Sequence, residues 1–235
     1  MLNVILPCAG KGTRLGLPYS KEIHKVSSDY ALIDFSLNLC LKNKKYVNEI
    51  VFVTEPHKKD LIKYLDKWKK NFKIRICYFN KKYSEWAGSI LSAEKKFYKK
   101  NLVLLPDTII DDPKNQIFKK TLDILELNDV SFAIKKEKKA KFLKNLGAIR
   151  SKGTNVLSFC DKPSKNLKSY NAFWCSFGFT KYSGKLLLEM MMRSINREKV
   201  SLKEELLKAQ CFYIKDYLDL GTWENLRSKK LNKYV

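Results

Sequence analysis

A doubly wound α/β fold on a mostly parallel, mixed sheet, with a small β-hairpin region in its second half, is the class this sequence predicts. Three observations predict it. Short runs of Val, Ile and Leu alternate with stretches of helical periodicity through the first hundred or so residues, as buried parallel strands and their crossovers do. Of the 235 residues 45% are hydrophobic, which suffices for one sizeable core. The 9 glycines and 6 prolines form no linker, so one domain over 1–235 is expected, with halves 1–112 and 113–235.

The elements follow in order. Leu2 to Pro7 is a continuous apolar strand, and Cys8 to Gly16 a glycine-containing loop. In the helix from Ala31 to Lys42, Leu32, Ile33, Phe35, Ser36, Leu37, Leu39 and Cys40 give a helical stripe. Strands at Glu49–Thr54, Ile74–Tyr78 and Asn101–Leu105 alternate with helices at Lys58–Lys69 and Gly88–Tyr98. After Asp107 the rhythm changes. A helix at Gln116–Leu127 and a strand at Val130–Ile134 precede the lysine-rich stretch Lys135–Lys144, which reads as a solvated loop or a frayed helix. Leu146–Arg150 and Val156–Cys160 flank the turn-rich Ser151-Lys152-Gly153-Thr154-Asn155, a hairpin pattern. A strand at Ala172–Thr180, helices at Gly184–Ser194 and Leu202–Ala209, a strand at Cys211–Lys215 and a helix at Thr222–Tyr234 complete the chain.

Composition excludes several classes. No apolar run approaches the roughly 18 residues of a membrane span, and Met1-Leu2-Asn3 leads directly into a strand, so no secretory signal is read and the cytoplasm is expected. Six cysteines without a C-x-x-C pair, and two histidines, argue against structural zinc; the thiols read as small buried hydrophobes. The net charge of +23 suggests nucleic acid at first sight. The excess is lysine rather than the bidentate arginine that base and phosphate readers favour, so no nucleic-acid partner is expected. Its functional counterpart is a positive field that draws in polyphosphates.

The chemistry concentrates after the first strand. In Ala9-Gly10-Lys11-Gly12-Thr13-Arg14, glycines permit a tight turn that presents amides to phosphate oxygens, and Lys11 and Arg14 add charge. The spacing matches neither the Walker loop nor the dinucleotide fingerprint. Pro18-Tyr19-Ser20-Lys21-Glu22 follows, then Leu104-Leu105-Pro106-Asp107, Asp161-Lys162-Pro163 and Tyr217-Leu218-Asp219-Leu220-Gly221-Thr222. In order and spacing these segments resemble the motifs of the sugar-phosphate nucleotidyltransferases: G-x-G-T-R-[LM] with P-K, L-L-G-D, E-K-P and W-x-D-x-G-T. Gly88, opening a helix after Trp86-Ala87, is similar to that family's segment against the nucleobase.

The resemblance implies a Rossmann-like nucleotidyltransferase fold. It also implies a reaction in which a phosphorylated small molecule attacks the α-phosphorus of an NTP and releases pyrophosphate. On that resemblance Asp107 and Asp219 hold Mg²⁺, and Arg14 and Lys21 are the catalytic cations. Ala9, Gly10, Lys11, Gly12, Thr13 and Gly88 line the nucleotide, and Gly147, Asp161, Lys162 and Trp174 the acceptor. The residues taken alone also allow a turn residue at Asp107, a helix cap at Asp219, solvated lysines at 21 and 162, and sheet packing for Trp174. Asp111 and Asp112 read as a solvated turn before Pro113 rather than further metal ligands. Short members of the superfamily incline the reading to CTP and a non-sugar phosphate, with a sugar 1-phosphate and UTP or dTTP as the alternative. The product would be an activated precursor for a cell-surface polysaccharide or lipid. A homo-oligomer is compatible with all of this.

Overall fold

The computed structural model describes residues 1–83, 85–195, 200–202 and 206–235. Its elements are β1 (Leu2–Pro7), α1 (Leu32–Lys42), β2 (Val47–Thr54), α2 (Lys59–Leu65), β3 (Ile74–Tyr78), α3 (Glu85–Leu91), β4 (Lys100–Val103), β5 (Thr108–Asp111), α4 (Gln116–Ile124), β6 (Val130–Lys136), α5 (Ala140–Leu143), β7 (Gly147–Lys152), β8 (Asn155–Asp161), β9 (Ala172–Thr180), α6 (Gly184–Ile195), β10 (Val200–Ser201), β11 (Ala209–Tyr213), β12 (Asp216–Asp219) and α7 (Trp223–Leu226). Strands β3, β2, β1 and β4 are adjacent and parallel. Strand β9 then runs antiparallel between β4 and β6, and β11 continues parallel to β6, which makes the sheet mixed.

The alternation of side chains along each strand builds the double winding. Leu2, Val4 and Leu6 of β1, with Ile50 and Phe52 of β2, face a core completed by Ile33 and Leu37 of α1 and Leu61 and Leu65 of α2. Ile5, Val51 and Val53 point the other way, toward Ala87 and Ile90 of α3 and Leu187, Leu188 and Met191 of α6. A third cluster, Leu15, Leu32, Ile109, Leu220 and Leu231, fastens the glycine loop to the C-terminal segment. No helix among the described residues is long and apolar enough to cross a membrane.

Three expectations need correction. Helix α3 begins at Glu85 and ends at Leu91, so Gly88 lies inside it rather than at its start. The helix expected over Thr222–Tyr234 shortens to α7 and a 3₁₀ turn at Leu231–Lys233: residues 227–230 between them are polar, and only Leu226, Leu231 and Tyr234 pack on the third cluster. Of the helix expected over Leu202–Ala209, residues 203–205 lie outside the described residues. Leu206 has a left-handed φ of 58°, and Ala209 already pairs with Val130 in β11. The expected hairpin is present as β7 and β8, and it is continuous with the main sheet, since β8 also pairs with β10 and β11, and β7 with β9. The lysine-rich stretch contributes the end of β6 and the single turn α5.

Candidate functional site

The glycine loop leaves β1 and closes on itself, the amides of Leu15 and Gly16 donating to the Gly12 carbonyl at 3.0 and 3.1 Å. Gly12 takes φ 68°, a left-handed value that favours glycine, and Lys21 packs against it. None of the amides from Ala9 to Thr13 donates a hydrogen bond within the described residues. Gly10, Lys11, Thr13 and Arg14 are exposed. A run of successive unpartnered amides in a tight loop is a concave partial positive charge suited to an anion.

Asp107 follows β4, and the chain then enters β5. This strand pairs antiparallel with β12 in a two-stranded ribbon that sets Asp219 opposite Thr108. The ribbon brings the two carboxylates together. Lys21 Nζ donates to Asp107 Oδ2 in an ion pair largely shielded from solvent. Gly221 N–H donates to Asp219 Oδ1 at 2.7 Å, and Leu220 N–H to the Asp107 carbonyl at 2.8 Å. A Cβ built on Gly221 would stand 2.7 Å from Arg14 Nη2 and 3.0 Å from Asp219 Oδ1, so the guanidinium lies over that glycine, beside the carboxylate. Arg14, Lys21, Asp107 and Asp219 therefore converge.

Their charges perturb one another. Burial, then the neighbouring Asp107, push the Asp219 carboxyl above the ordinary range, against the pull of the Gly221 amide, Arg14 and Lys21. Burial alone would lower the Lys21 ammonium, but Asp107, through charge and hydrogen bond, together with Glu22 raises it. Asp107 Oδ1 and Asp219 Oδ2 make no hydrogen bond among the described residues, which leaves one oxygen on each for a cation. No group of three or more His, Cys, Asp or Glu gathers for a metal among the described residues. Two carboxylates alone fit an ion such as Mg²⁺, which takes one or two protein oxygens and completes its shell with water and phosphate.

A second group assembles at the hairpin. Gly147 and Asp161 are directly opposed in β7 and β8. A Cβ on Gly147 would meet Trp174 Nε1 at 1.9 Å, so the indole occupies the space a side chain would need. Trp174 packs on Trp86 of α3 with ring centroids 5.1 Å apart. Asp161 is buried; burial and the neighbouring Glu85 raise its carboxyl, against Lys162 and the Trp86 indole N–H. Lys162 is exposed and has a left-handed φ of 47°. Gly88 lies in α3 two residues beyond Trp86, and the direction of its missing side chain is filled by Tyr83 Cβ at 2.6 Å.

Asp111 and Asp112 serve structure. Asp112 accepts the amides of Gln116 and Ile117 at 3.0 and 2.9 Å at the start of α4, and Asp111 pairs with Lys215 and Lys233. Asp112 is buried, not solvated as expected. A cavity of about 330 Å³ on this side of β5, between Tyr30, Phe35, Lys42 and Tyr234, contains none of the four converging groups.

Sequence reasoning missed several residues that shape the site. Lys58, 5% exposed, donates to the Cys8 and Gly10 carbonyls at 2.7 and 2.8 Å and to both oxygens of fully buried Glu22. Asp60 accepts the Ser20 amide at 2.8 Å and the Ser20 hydroxyl at 2.6 Å. The Trp223 indole N–H donates to the Leu15 carbonyl at 3.0 Å. A lysine at the start of an amphipathic helix carries no local sign of burial; only the adjacency of Lys21 and Glu22 hinted at charge organised in that turn.

A sequence profile of the family described as Nucleotidyl transferase matches residues 2–233. Among solved structures, a UDP-glucose pyrophosphorylase from Acinetobacter baumannii is 15% identical with a TM-score of 0.75, covering 96% of this chain and 90% of its own. A putative glucose-1-phosphate thymidylyltransferase from Bacillus anthracis is 15% identical with a TM-score of 0.76, covering 100% and 96%. An apo UDP-glucose pyrophosphorylase is 17% identical with a TM-score of 0.80, covering 100% and 98%. At these identities the likeness concerns the fold. None of the curated proteins compared matches the chain.

Proposed function

Because the chain belongs to the nucleotidyl transferase family, we propose that it joins an NTP to a phosphorylated small molecule and releases pyrophosphate. The observation that carries this reading is the convergence of Arg14 and Lys21 with Asp107 and Asp219 beside the unpartnered amides of Ala9–Thr13.

In the proposed reaction an acceptor phosphate oxygen forms a bond to the α-phosphorus, and the bond from that phosphorus to the α,β-bridging oxygen breaks. A phosphate monoester has a second pKa of about 6, so it arrives as a dianion and needs no general base. That suits a site whose converging groups include no histidine. The loop amides and Arg14 bind the β- and γ-phosphates. Lys21, held by Asp107, stands ready for charge that builds at the α-phosphoryl group. Mg²⁺ bound by Asp107 and Asp219 would supply the surplus positive charge that two cations facing two carboxylates lack. Lys162 takes the acceptor phosphate, and Asp161, Gly147 and Trp174 its organic part. On this reading the half 1–112 carries the nucleotide contacts and 113–235 those of the acceptor, with Asp219 reaching across to the metal.

Two pairings of substrate are carried forward. CTP with a non-sugar phosphate is the expectation from the sequence. A sugar 1-phosphate with UTP or dTTP is favoured by the structural neighbours, whose titles name UDP-glucose and glucose 1-phosphate enzymes. Pyrophosphate release measured across the four NTPs and a panel of sugar 1-phosphates and non-sugar phosphate esters decides between them. No release with any pair, from folded protein with Mg²⁺, overturns the proposal.

A further inference from the structure

Lys58 sits between β2 and α2, where its ammonium is withdrawn from water. Its three N–H groups are all engaged, on the Cys8 carbonyl at 2.7 Å, the Gly10 carbonyl at 2.8 Å and the Glu22 carboxylate at 2.9 and 3.0 Å. These partners lie at the two ends of the segment that carries the proposed phosphate-binding groups. Cys8 and Gly10 begin the loop, and Glu22 adjoins Lys21.

The peptide geometry gives this contact a consequence. In a trans peptide the C=O and the following N–H point in opposite directions. No peptide bond of the described chain is cis. A Cys8 carbonyl drawn toward Lys58 therefore turns the Ala9 N–H away from it, and a Gly10 carbonyl drawn the same way turns the Lys11 N–H away. Those two amides belong to the run that finds no partner in the protein. Without Lys58 the loop has no other side-chain hydrogen bond to these carbonyls among the described residues, and the peptides are free to rotate.

We propose that Lys58, with Glu22, is a positioning residue for the nucleotide: it orients the Ala9 and Lys11 amides toward the triphosphate and holds the backbone of Lys21 in register with them. Lys58 itself touches no substrate in this arrangement. The inference rests on the reading that the loop binds an NTP.

The test uses the full chain, with the NTP that supports the fastest pyrophosphate release as the probe. Lys58→Met leaves a buried carboxylate unpaired, and loss of folding is one expected result for it. The deciding protein is therefore the double variant Lys58→Met/Glu22→Met, which removes both charges and keeps the volume. Its melting temperature is expected to stay close to that of the wild type, its NTP dissociation constant and KM to rise at least tenfold, and its acceptor KM to stay within about twofold. A role confined to stability would leave NTP affinity unchanged once the fold is retained, and that result overturns the proposal. If the double variant does not fold, Lys58→Arg decides. It keeps the charge near Glu22 but cannot direct three donors from one nitrogen, so NTP affinity is expected to fall with the melting temperature retained. Unchanged affinity there also overturns the proposal. Wild-type protein that binds no NTP refutes the functional reading itself, whereas wild-type and variant proteins that bind equally well refute only the role of Lys58.

Discussion

Gly221→Ala separates catalysis from stability in one methyl group. Gly221 does not occupy the left-handed region, so alanine is sterically admissible for its own backbone. Its Cβ, however, would stand 2.7 Å from Arg14 Nη2 and 3.0 Å from Asp219 Oδ1, where ordinary contact begins at 3.4 Å. The guanidinium, at the end of a flexible side chain, must withdraw by ~0.7 Å, and a misplacement of about 1 Å in a positioned group costs up to roughly 100-fold in rate. The expected fall in kcat is ~10–100-fold, or ~1.4–2.7 kcal/mol of transition-state stabilisation. The fold is expected to lose nothing, because alanine restricts the unfolded chain and returns ~0.4–1 kcal/mol. Pyrophosphate release and thermal unfolding on the same preparation check both halves. Wild-type turnover would show that neither the Arg14 guanidinium nor the Asp219 carboxylate acts where it lies. A loss of turnover accompanied by a fall of several degrees in melting temperature would refute the argument from contact distance.

Three further outcomes are expected. The raised Asp219 carboxyl makes Mg²⁺ compete with a proton: affinity should be constant above its pKa and fall by up to about tenfold per pH unit below it, starting above the ordinary aspartate value of 3.8. Calorimetric Mg²⁺ titrations of wild-type and Asp219→Asn protein check this, and a pH at which affinity begins to fall that is the same in both proteins counts against the assignment. Gly147→Ala must evict the Trp174 indole from Trp86 and Phe177, at a cost of ~1–3 kcal/mol for the two aromatic pairs. Acceptor KM should rise while NTP KM holds; unchanged indole fluorescence would contradict the eviction. Burial acts to raise the Asp60 carboxyl, but its bonds from Ser20 and Leu61 outweigh that and hold it below 3.8, so its contribution to stability is complete above that pH and lost as pH falls through the depressed value. Urea unfolding of Asp60→Asn at pH 7 and pH 3 should show a deficit that narrows at the lower pH.

What the amino-acid order determined by itself is whatever one segment can express alone. Apolar runs such as Leu2–Pro7 and Glu49–Thr54 admit little but a buried strand, and glycines at 10, 12 and 16 force a loop wherever that strand ends. The cations of the loop and the acids at 107 and 219 were legible as residue types suited to phosphate and metal. Their meeting was implied only by the resemblance of the ordered motifs and by no segment alone, because it depends on β5 pairing with β12 across more than a hundred residues, and two four-residue strands have no periodicity long enough to announce themselves. The same holds for Lys58 and Trp86. A lysine opening a helix and a tryptophan near a glycine look the same whether they face water or a neighbour. Only packing withdrew one under the loop, where three acceptors offset its lost hydration, and laid the other against Trp174.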